Sequence, residues 1–258
     1  MELATLAGIV VVLGAVFTSL VMEGASPTSI LLLPPIVLVI VGTLGAAVAG
    51  GFMSDVKVVG KQVARAFTAK APQSDAAVAD LVSMADTARR EGLLALEERL
   101  RGIEDPFLRQ GIEMTVDGTD ADEIHDVLHA RISSKKRQDR LGIKFFADMG
   151  GYAPTIGIIG TVIGLIHVLG NLSSPETLGE LIASAFVATL WGVMSANAIW
   201  LPLSNKLKRL SEVECAHLEL LLEGVLAVQS GTSPRVVEKR LLAVLSADVD
   251  APAATEAA

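Results

Sequence analysis

Residues 149–175 read MGGYAPTIGIIGTVIGLIHVLGNLSSP, a stretch without a single Asp, Glu, Lys or Arg. Roughly 20 apolar residues in a helix cross a hydrocarbon core of about 30 Å, so this segment alone is long enough to span a bilayer. Three further stretches meet the same test: Leu3–Met22, Ile30–Ser54 and Leu181–Asn205. The chain of 258 residues is 51% hydrophobic and 19% charged, with a mean hydropathy of +0.53, a balance foreign to a water-soluble globule. The pattern predicts an all-α integral membrane protein. It has four transmembrane helices, a cytoplasmic helical insert between helices 2 and 3, and a cytoplasmic helical C-terminal tail. A secretory signal is the competing reading of Leu3–Met22, but it wants a basic leader, and Met1-Glu2 is acidic.

Charge fixes the orientation. All 21 Lys and Arg residues fall in the insert or the tail, whereas the short connections Glu23–Ser29 and Gly170–Thr177 carry only acid. Positive charge stays on the cytoplasmic side, which places both termini and the insert there and the two short loops outside. The expected divisions are spans one and two in 1–54, a cytoplasmic helical domain in 55–148, spans three and four in 149–205, C-terminal helices in 206–247 and a disordered tail in 248–258. Within the insert, Val56, Val59, Val63 and Phe67 alternate with Lys57, Lys61 and Arg65 as an amphipathic helix at the inner surface. Gln73-Ser74 reads as a cap for a helix with a Val78, Leu81, Val82, Ala85 stripe, and Gly92 breaks the pattern. Further helices are expected over Pro106–Val116 and Ala121–Arg137. In the tail, Leu207, Leu210, Leu218, Leu221 and Leu222 mark a long helix, and Ser233-Pro234 opens a last one.

Composition excludes several functions. A net charge of −8 is wrong for a phosphate-binding face, so nucleic acid is not a partner. One cysteine, Cys215, rules out an internal disulfide and a Cys-x-x-Cys zinc site, and no metal or cofactor is expected. No Gly-x-Ser-x-Gly, Walker A, His-Glu-x-x-His or dinucleotide pattern occurs, so the chain is not read as an enzyme. None of the four spans contains a carboxylate. An ion crossing lipid needs polar groups at depth. If the protein conducts cations, the group that binds and releases them comes from a partner.

Small residues are concentrated in the last two spans: Gly157, Gly160, Thr161 and Gly164 in the third, and Ala185, Ala188, Thr189, Gly192 and Ser195 in the fourth. Such residues let helix backbones approach closely, either onto another subunit or in ordinary packing with threonines bonded to their own i−4 carbonyls. Pro154 and Pro202 lie near the cytoplasmic ends of these spans, as hinges or as plain start and stop signals. His167, with no carboxylate beside it, reads as a packing residue rather than a proton relay. Arg89, Arg90, Glu91, Glu97, Glu98, Arg99 and Arg101 form a dense mixed-charge segment, either a solvated face or a docking surface.

Several strings together resemble the MotA/PomA family, the A subunits of bacterial flagellar motor stators, within the wider MotA/TolQ/ExbB group. They are Ala88 to Glu97 (ARREGLLALE), Tyr152 to Leu165 (YAPTIGIIGTVIGL), Ala188-Thr189-Leu190-Trp191-Gly192 with Pro202 to Leu207 (PLSNKL), and Val228 to Pro234 (VQSGTSP). The resemblance covers about Leu3 to Leu245. It implies a pentameric ring of A subunits in the bacterial inner membrane around two copies of a single-span B subunit (MotB/PomB-like), whose aspartate carries the proton or sodium ion. Spans three and four would face the B helices through Gly157, Gly160, Thr161, Gly164, Ala185, Thr189, Gly192 and Ser195, with spans one and two toward membrane lipid. Pro154 and Pro202 would serve conformational coupling, and Arg89, Arg90, Glu97 and Glu98 would contact the rotor protein FliG. Leu100 stands where some relatives carry a further acidic residue. The rivals are an ExbB/TolQ-like energiser of outer-membrane processes, which usually has three spans, and a non-conducting membrane scaffold.

Overall fold

The computed structural model describes residues 3–69 and 72–250, and every described element is helical. The chain runs through α1 (Leu3–Met22), a 3-10 turn (Pro27–Ile30), α2 (Leu33–Ala49), α3 (Met53–Thr68), α4 (Ser74–Glu91), a second 3-10 turn (Leu93–Leu96) and α5 (Glu97–Leu100). It continues with α6 (Pro106–Val116), α7 (Ala121–Gly170), α8 (Pro175–Ser195), a π turn (Ala196–Trp200), α9 (Leu201–Gln229) and α10 (Pro234–Asp250). Two compact units result, one made of residues 1–70 and 138–210, the other of 71–137 and 211–258.

The first unit holds the apolar helices. α1, the apolar part of α7 and α8 are long and apolar enough to cross a membrane, and α2 is a shorter apolar helix. The second expected span, Ile30–Ser54, shrinks to 17 residues, about 25 Å at 1.5 Å per residue. Pro34 and Pro35 set its start, and Gly50-Gly51 end it before α3. α1 buries none of its apolar window, as a lipid-facing helix does. α2 buries Pro35, Val39, Thr43 and Ala47, one residue per turn.

The expected divisions shift in the structure. α3 was assigned to the 55–148 domain, but it packs Val59 and Ala66 with Ala47, Phe146, Met149, Leu203 and Leu207, so it belongs with the spans. A buried polar contact fixes it there: Arg65 reaches Asp139 at 2.5 Å, and Gln62 donates to the same carboxylate at 3.2 Å. Asp139 is 4% exposed, and its charge is tolerated because both partners satisfy it. Gly142 leaves room for Gln62, whose Cγ lies 2.9 Å from where a Cβ would sit.

The second unit joins the insert and the tail around one core. Val78, Leu81, Met84 and Ala85 of α4 meet Ile112 of α6, Ile124, Leu128 and Ile132 of α7, Leu220, Leu221 and Val225 of α9, and Val237 and Leu241 of α10. The tail expected as 206–247 is therefore not a separate domain: residues 206–210 belong to the first unit and the rest to this core. α6 starts and stops where the sequence places it, because the Asp105 side chain accepts from the amides of Phe107 and Leu108 at 2.7 and 2.9 Å ahead of Pro106. The helix expected over Ala121–Arg137 does not end there. No proline interrupts it before Pro154, and it continues into the third span as one helix of 50 residues. α10 runs to Asp250, past the 248 at which the tail was expected to begin; residues 251–258 lie outside the described residues.

Ser74 does not cap α4 as the sequence suggests. It is the first helical residue, and its Oγ lies 3.0 Å from Nδ1 of His217 on α9. Burial lowers the His217 pKa below its ordinary value of 6.5, against a smaller opposing pull from the Asp105 charge. The folded ring is thus harder to protonate than the unfolded one. The contribution of His217 to stability is therefore most favourable above about pH 6.5 and declines as pH falls toward the lower folded value. His217→Gln, which can still bond Ser74, should reduce the loss of thermal stability and of α4 amide protection between pH 7.5 and 5.5 relative to the parent chain.

Candidate functional site

The third and fourth spans touch backbone to backbone. A Cβ added at Gly157 would lie 2.9 Å from the Ala188 carbonyl oxygen and 3.2 Å from the Gly192 Cα. At Gly192 it would meet the Ala153 oxygen at 2.7 Å, and at Gly164 the Ala185 Cβ at 2.5 Å. Gly160 sits against Ala188 and the Leu38 side chain of α2. Only glycine permits this approach, and close packing of this kind is what holds helices together where lipid supplies no hydrophobic drive.

Inside the seam two hydroxyls converge. Thr161 Oγ1 contacts the carbonyl oxygens of Gly157 at 3.2 Å and Ala185 at 3.1 Å, and it pairs directly with Thr189 Oγ1. Thr189 Oγ1 in turn reaches the Gly157 oxygen at 3.3 Å. Two hydroxyl and two carbonyl oxygens thus share two hydroxyl protons besides the helical amides, so the cluster still has lone pairs to spare and an electronegative character. Both threonines are half-buried rather than sealed.

The remaining small residues sit differently from their expected role. Gly157, Gly160, Ala185 and Gly192 are buried where the two spans of the same chain meet, and Ser195, also buried, donates to the Gly192 carbonyl of its own helix at 3.2 Å. They close the seam instead of lining an open face. Small side chains carry no mark that distinguishes packing within a chain from packing against a partner. On the helix faces flanking the threonines, Ile158 and Val162 of α7 and Phe186 of α8 are all more than half exposed. His167 is exposed as well, rather than packed.

Pro154 lies inside α7, which continues through it, while Pro202 follows the π turn. Pro202 has no N–H to give to the Ala198 carbonyl, and just before it the Leu201 amide bonds to Ala196, five residues back. Pro202 also lines a cavity of about 390 Å³ with Thr5, Gly8 and Val12 of α1, Asn197 and Lys206. Sequence reading missed Trp191, whose indole donates to the Ile30 carbonyl at 2.7 Å and pins the turn before α2 onto α8.

The mixed-charge residues flank a glycine turn. Arg89 and Arg90 end α4, Gly92 turns the chain at φ +89°, and Glu97 and Glu98 open α5. All four charges are exposed; Arg90 pairs with Asp86 at 3.0 Å. Leu96 is wholly buried and anchors the turn, and Leu94, 72% exposed, stands between the two charged pairs. Leu100 packs on the core beneath, where an acidic side chain would lose its solvation.

A multi-span α-helical membrane protein with two spans fused at a glycine seam is the class defined here. The chain belongs to the MotA/TolQ/ExbB proton channel family, whose description matches residues 99–220, while that of the motility protein A N-terminal region matches residues 6–92. It is 36% identical over 251 residues to motility protein A of Bacillus subtilis (strain 168), covering 96% of this chain and 92% of that one. It is 34% identical over 245 residues to chemotaxis protein PomA of Vibrio alginolyticus, with 93% and 94% covered. Among solved structures, C. jejuni MotAB is similar with a TM-score of 0.91 at 28% identity, covering all of both chains. The flagellar MotAB stator complex of Bacillus subtilis gives a TM-score of 0.88 at 35% identity, covering 95% of this chain and 96% of that one.

Gly157→Ala and Gly192→Ala should each lower the thermal stability of the purified protein and its yield in the membrane, because the added methyl meets backbone that cannot turn aside. Gly170→Ala, with no atom within 4 Å of the new methyl, should leave both unchanged.

Proposed function

We propose that the chain is the A-type subunit of a flagellar motor stator. With a B-type partner (MotB/PomB-like) it forms a channel that couples inward proton (or sodium) flow to torque on the rotor protein FliG. The observation that carries this reading is the oxygen cluster of Thr161, Thr189, Gly157 and Ala185 at a seam whose spans hold no carboxylate. Hydroxyl and carbonyl oxygens suit a hard cation or a relayed proton, yet a site that binds and releases the ion needs a titratable charge. A partner helix lying on the open Ile158, Val162 and Phe186 surface would bring an aspartate beside the threonine pair. That two similar solved structures are MotAB assemblies supports such a partner.

The assembly is a homopentamer in the bacterial cytoplasmic (inner) membrane, with both termini and the second unit on the cytoplasmic side. It converts an ion gradient into motion rather than transforming a substrate, so it is not an enzyme. Pro154 and the π turn before Pro202 are the points where the spans yield as the ion is taken up and released. Arg89, Arg90, Glu97 and Glu98 push on the rotor, with Leu94 as an apolar contact between them. Relatives matched over more than nine-tenths of their length are a motility protein A and the chemotaxis protein PomA, which favours the motor over an outer-membrane energiser.

Reconstitution in liposomes tests the channel. Flux under a proton or a sodium gradient should require this chain, the B-type partner and the partner's membrane aspartate, and its dependence on one gradient names the ion. Thr189→Val should reduce flux at least tenfold while the complex still assembles; undiminished flux would remove Thr189 from the ion path. In cells, Arg90→Glu or Glu98→Lys should abolish or reduce swimming with flagella and membrane assembly intact. Failed assembly in these variants would assign the charges to folding instead.

A further inference from the structure

The first turns of α7 carry Asp122-Glu123-Ile124-His125-Asp126-Val127-Leu128-His129, an Asp-x-x-His unit written twice. At 100° per residue, Asp122, His125, Asp126 and His129 fall on one face of the helix, while Ile124 and Leu128 turn into the core. All four of the polar side chains are exposed. Two of the four histidines in the chain thus stand one turn apart on a helix anchored in the unit's core by Ile124, Leu128 and Ile132.

The rings lie nearly parallel, with centroids 5.5 Å apart and planes 10° from each other. Nδ1 of His125 sits 3.3 Å from Oδ1 of Asp126. A carboxylate on one ring nitrogen holds the imidazole in the tautomer that presents its other nitrogen, Nε2, as a lone pair, the arrangement found behind metal-ligating histidines. Histidines at i and i+4 are the spacing by which a single helix face grips zinc. With metal–nitrogen bonds of about 2.0–2.1 Å, one ion bridges nitrogens roughly 3.3 Å apart, so the two rings, 5.5 Å apart at their centroids, would turn their nitrogens toward a shared ion. Asp122, three residues before His125, adds negative charge on the same face, as in the carboxylate-x-x-His pairs of helical metal sites.

We propose that His125 and His129 form a surface chelate for a divalent, imidazole-preferring metal ion, zinc(II) in the first place. No group of three or more histidine, cysteine or acidic side chains converges among the described residues, so water completes the coordination sphere and the site is open and exchangeable rather than structural. Bound metal staples the first turns of α7 and stabilises the folded state by an amount that rises with the logarithm of free metal above its dissociation constant. The ion pathway and the charged turn around Gly92 contribute no ligand to it.

The test uses the full-length chain, purified in detergent through a tag without histidine and titrated with zinc chloride by calorimetry at pH 7.5. One zinc per chain is expected at micromolar affinity, with a rise in thermal stability. His125→Ala and His129→Ala should each weaken binding at least tenfold, and the double variant should lose both the binding and the stabilisation. Because both side chains are solvent-exposed, the melting temperature without zinc should not move. His217→Ala serves as the comparison and should leave zinc binding intact. Unchanged stoichiometry and affinity in the double variant, or an equal loss in His217→Ala, would overturn the proposal.

Discussion

Two helices surrounded by hydrocarbon gain nothing from hiding apolar side chains from each other, since lipid tails are as apolar as leucine. What remains is contact distance, and the fit of Gly157, Gly160, Gly164 and Gly192 against Ala185, Ala188 and the opposing backbone supplies it. Much else depends on this approach. It brings the carbonyls of Gly157 and Ala185 close enough for the threonine hydroxyls to share them. It gives α2 a fixed surface, with Leu38 against Gly160 and Ile156 against Gly42. A polar cluster inside an apolar layer is tolerable only because its groups satisfy one another, and they can do so only at this separation.

The junction below the fourth span obeys a different constraint. Pro202 cannot donate to Ala198, and a straight α-helix would leave that carbonyl without its partner in a setting with little water. The π turn over Ala196–Trp200 admits one residue more and changes which amide meets which carbonyl. Trp200 emerges from it stacked on Phe146, and Ser204 then donates to the Ile143 carbonyl at 2.8 Å, tying α9 to α7 within the first unit.

Sequence is informative where a local rule and a tertiary need coincide. α6 starts at Pro106, where the sequence places it and where a proline fits the first turn, and the Val78, Leu81, Ala85 stripe is buried as its spacing demands. The two ends of the α4 to α5 turn were legible through Gly92, whose positive φ other residues resist. The continuity of α7 was not, since a change in hydropathy near Met149 marks where the solvent changes and says nothing about where a helix ends. Nor was the allegiance of α3, which depends on the pairing of Arg65 with Asp139 across 74 positions. At the site, the contact between Thr161 and Thr189 was not legible, since spacing gives each threonine only a carbonyl on its own helix, and the burial of Ser195 and Gly192 could not be read from residue size. The pairing of His125 with His129 gains meaning only from their shared helix face, which composition does not show.

The π turn also has a consequence for how such chains are compared. It is, in effect, a one-residue insertion housed inside a continuous helix, and each residue turns the helix by about 100°. A relative with an unbroken α-helix here would align with this chain only through a single gap between Ser195 and Leu201. Placed without that gap, Pro202, Ser204 and Lys206 would be matched to side chains that point about a quarter-turn away, and residues of equal number along the two helices would no longer be equivalent in space.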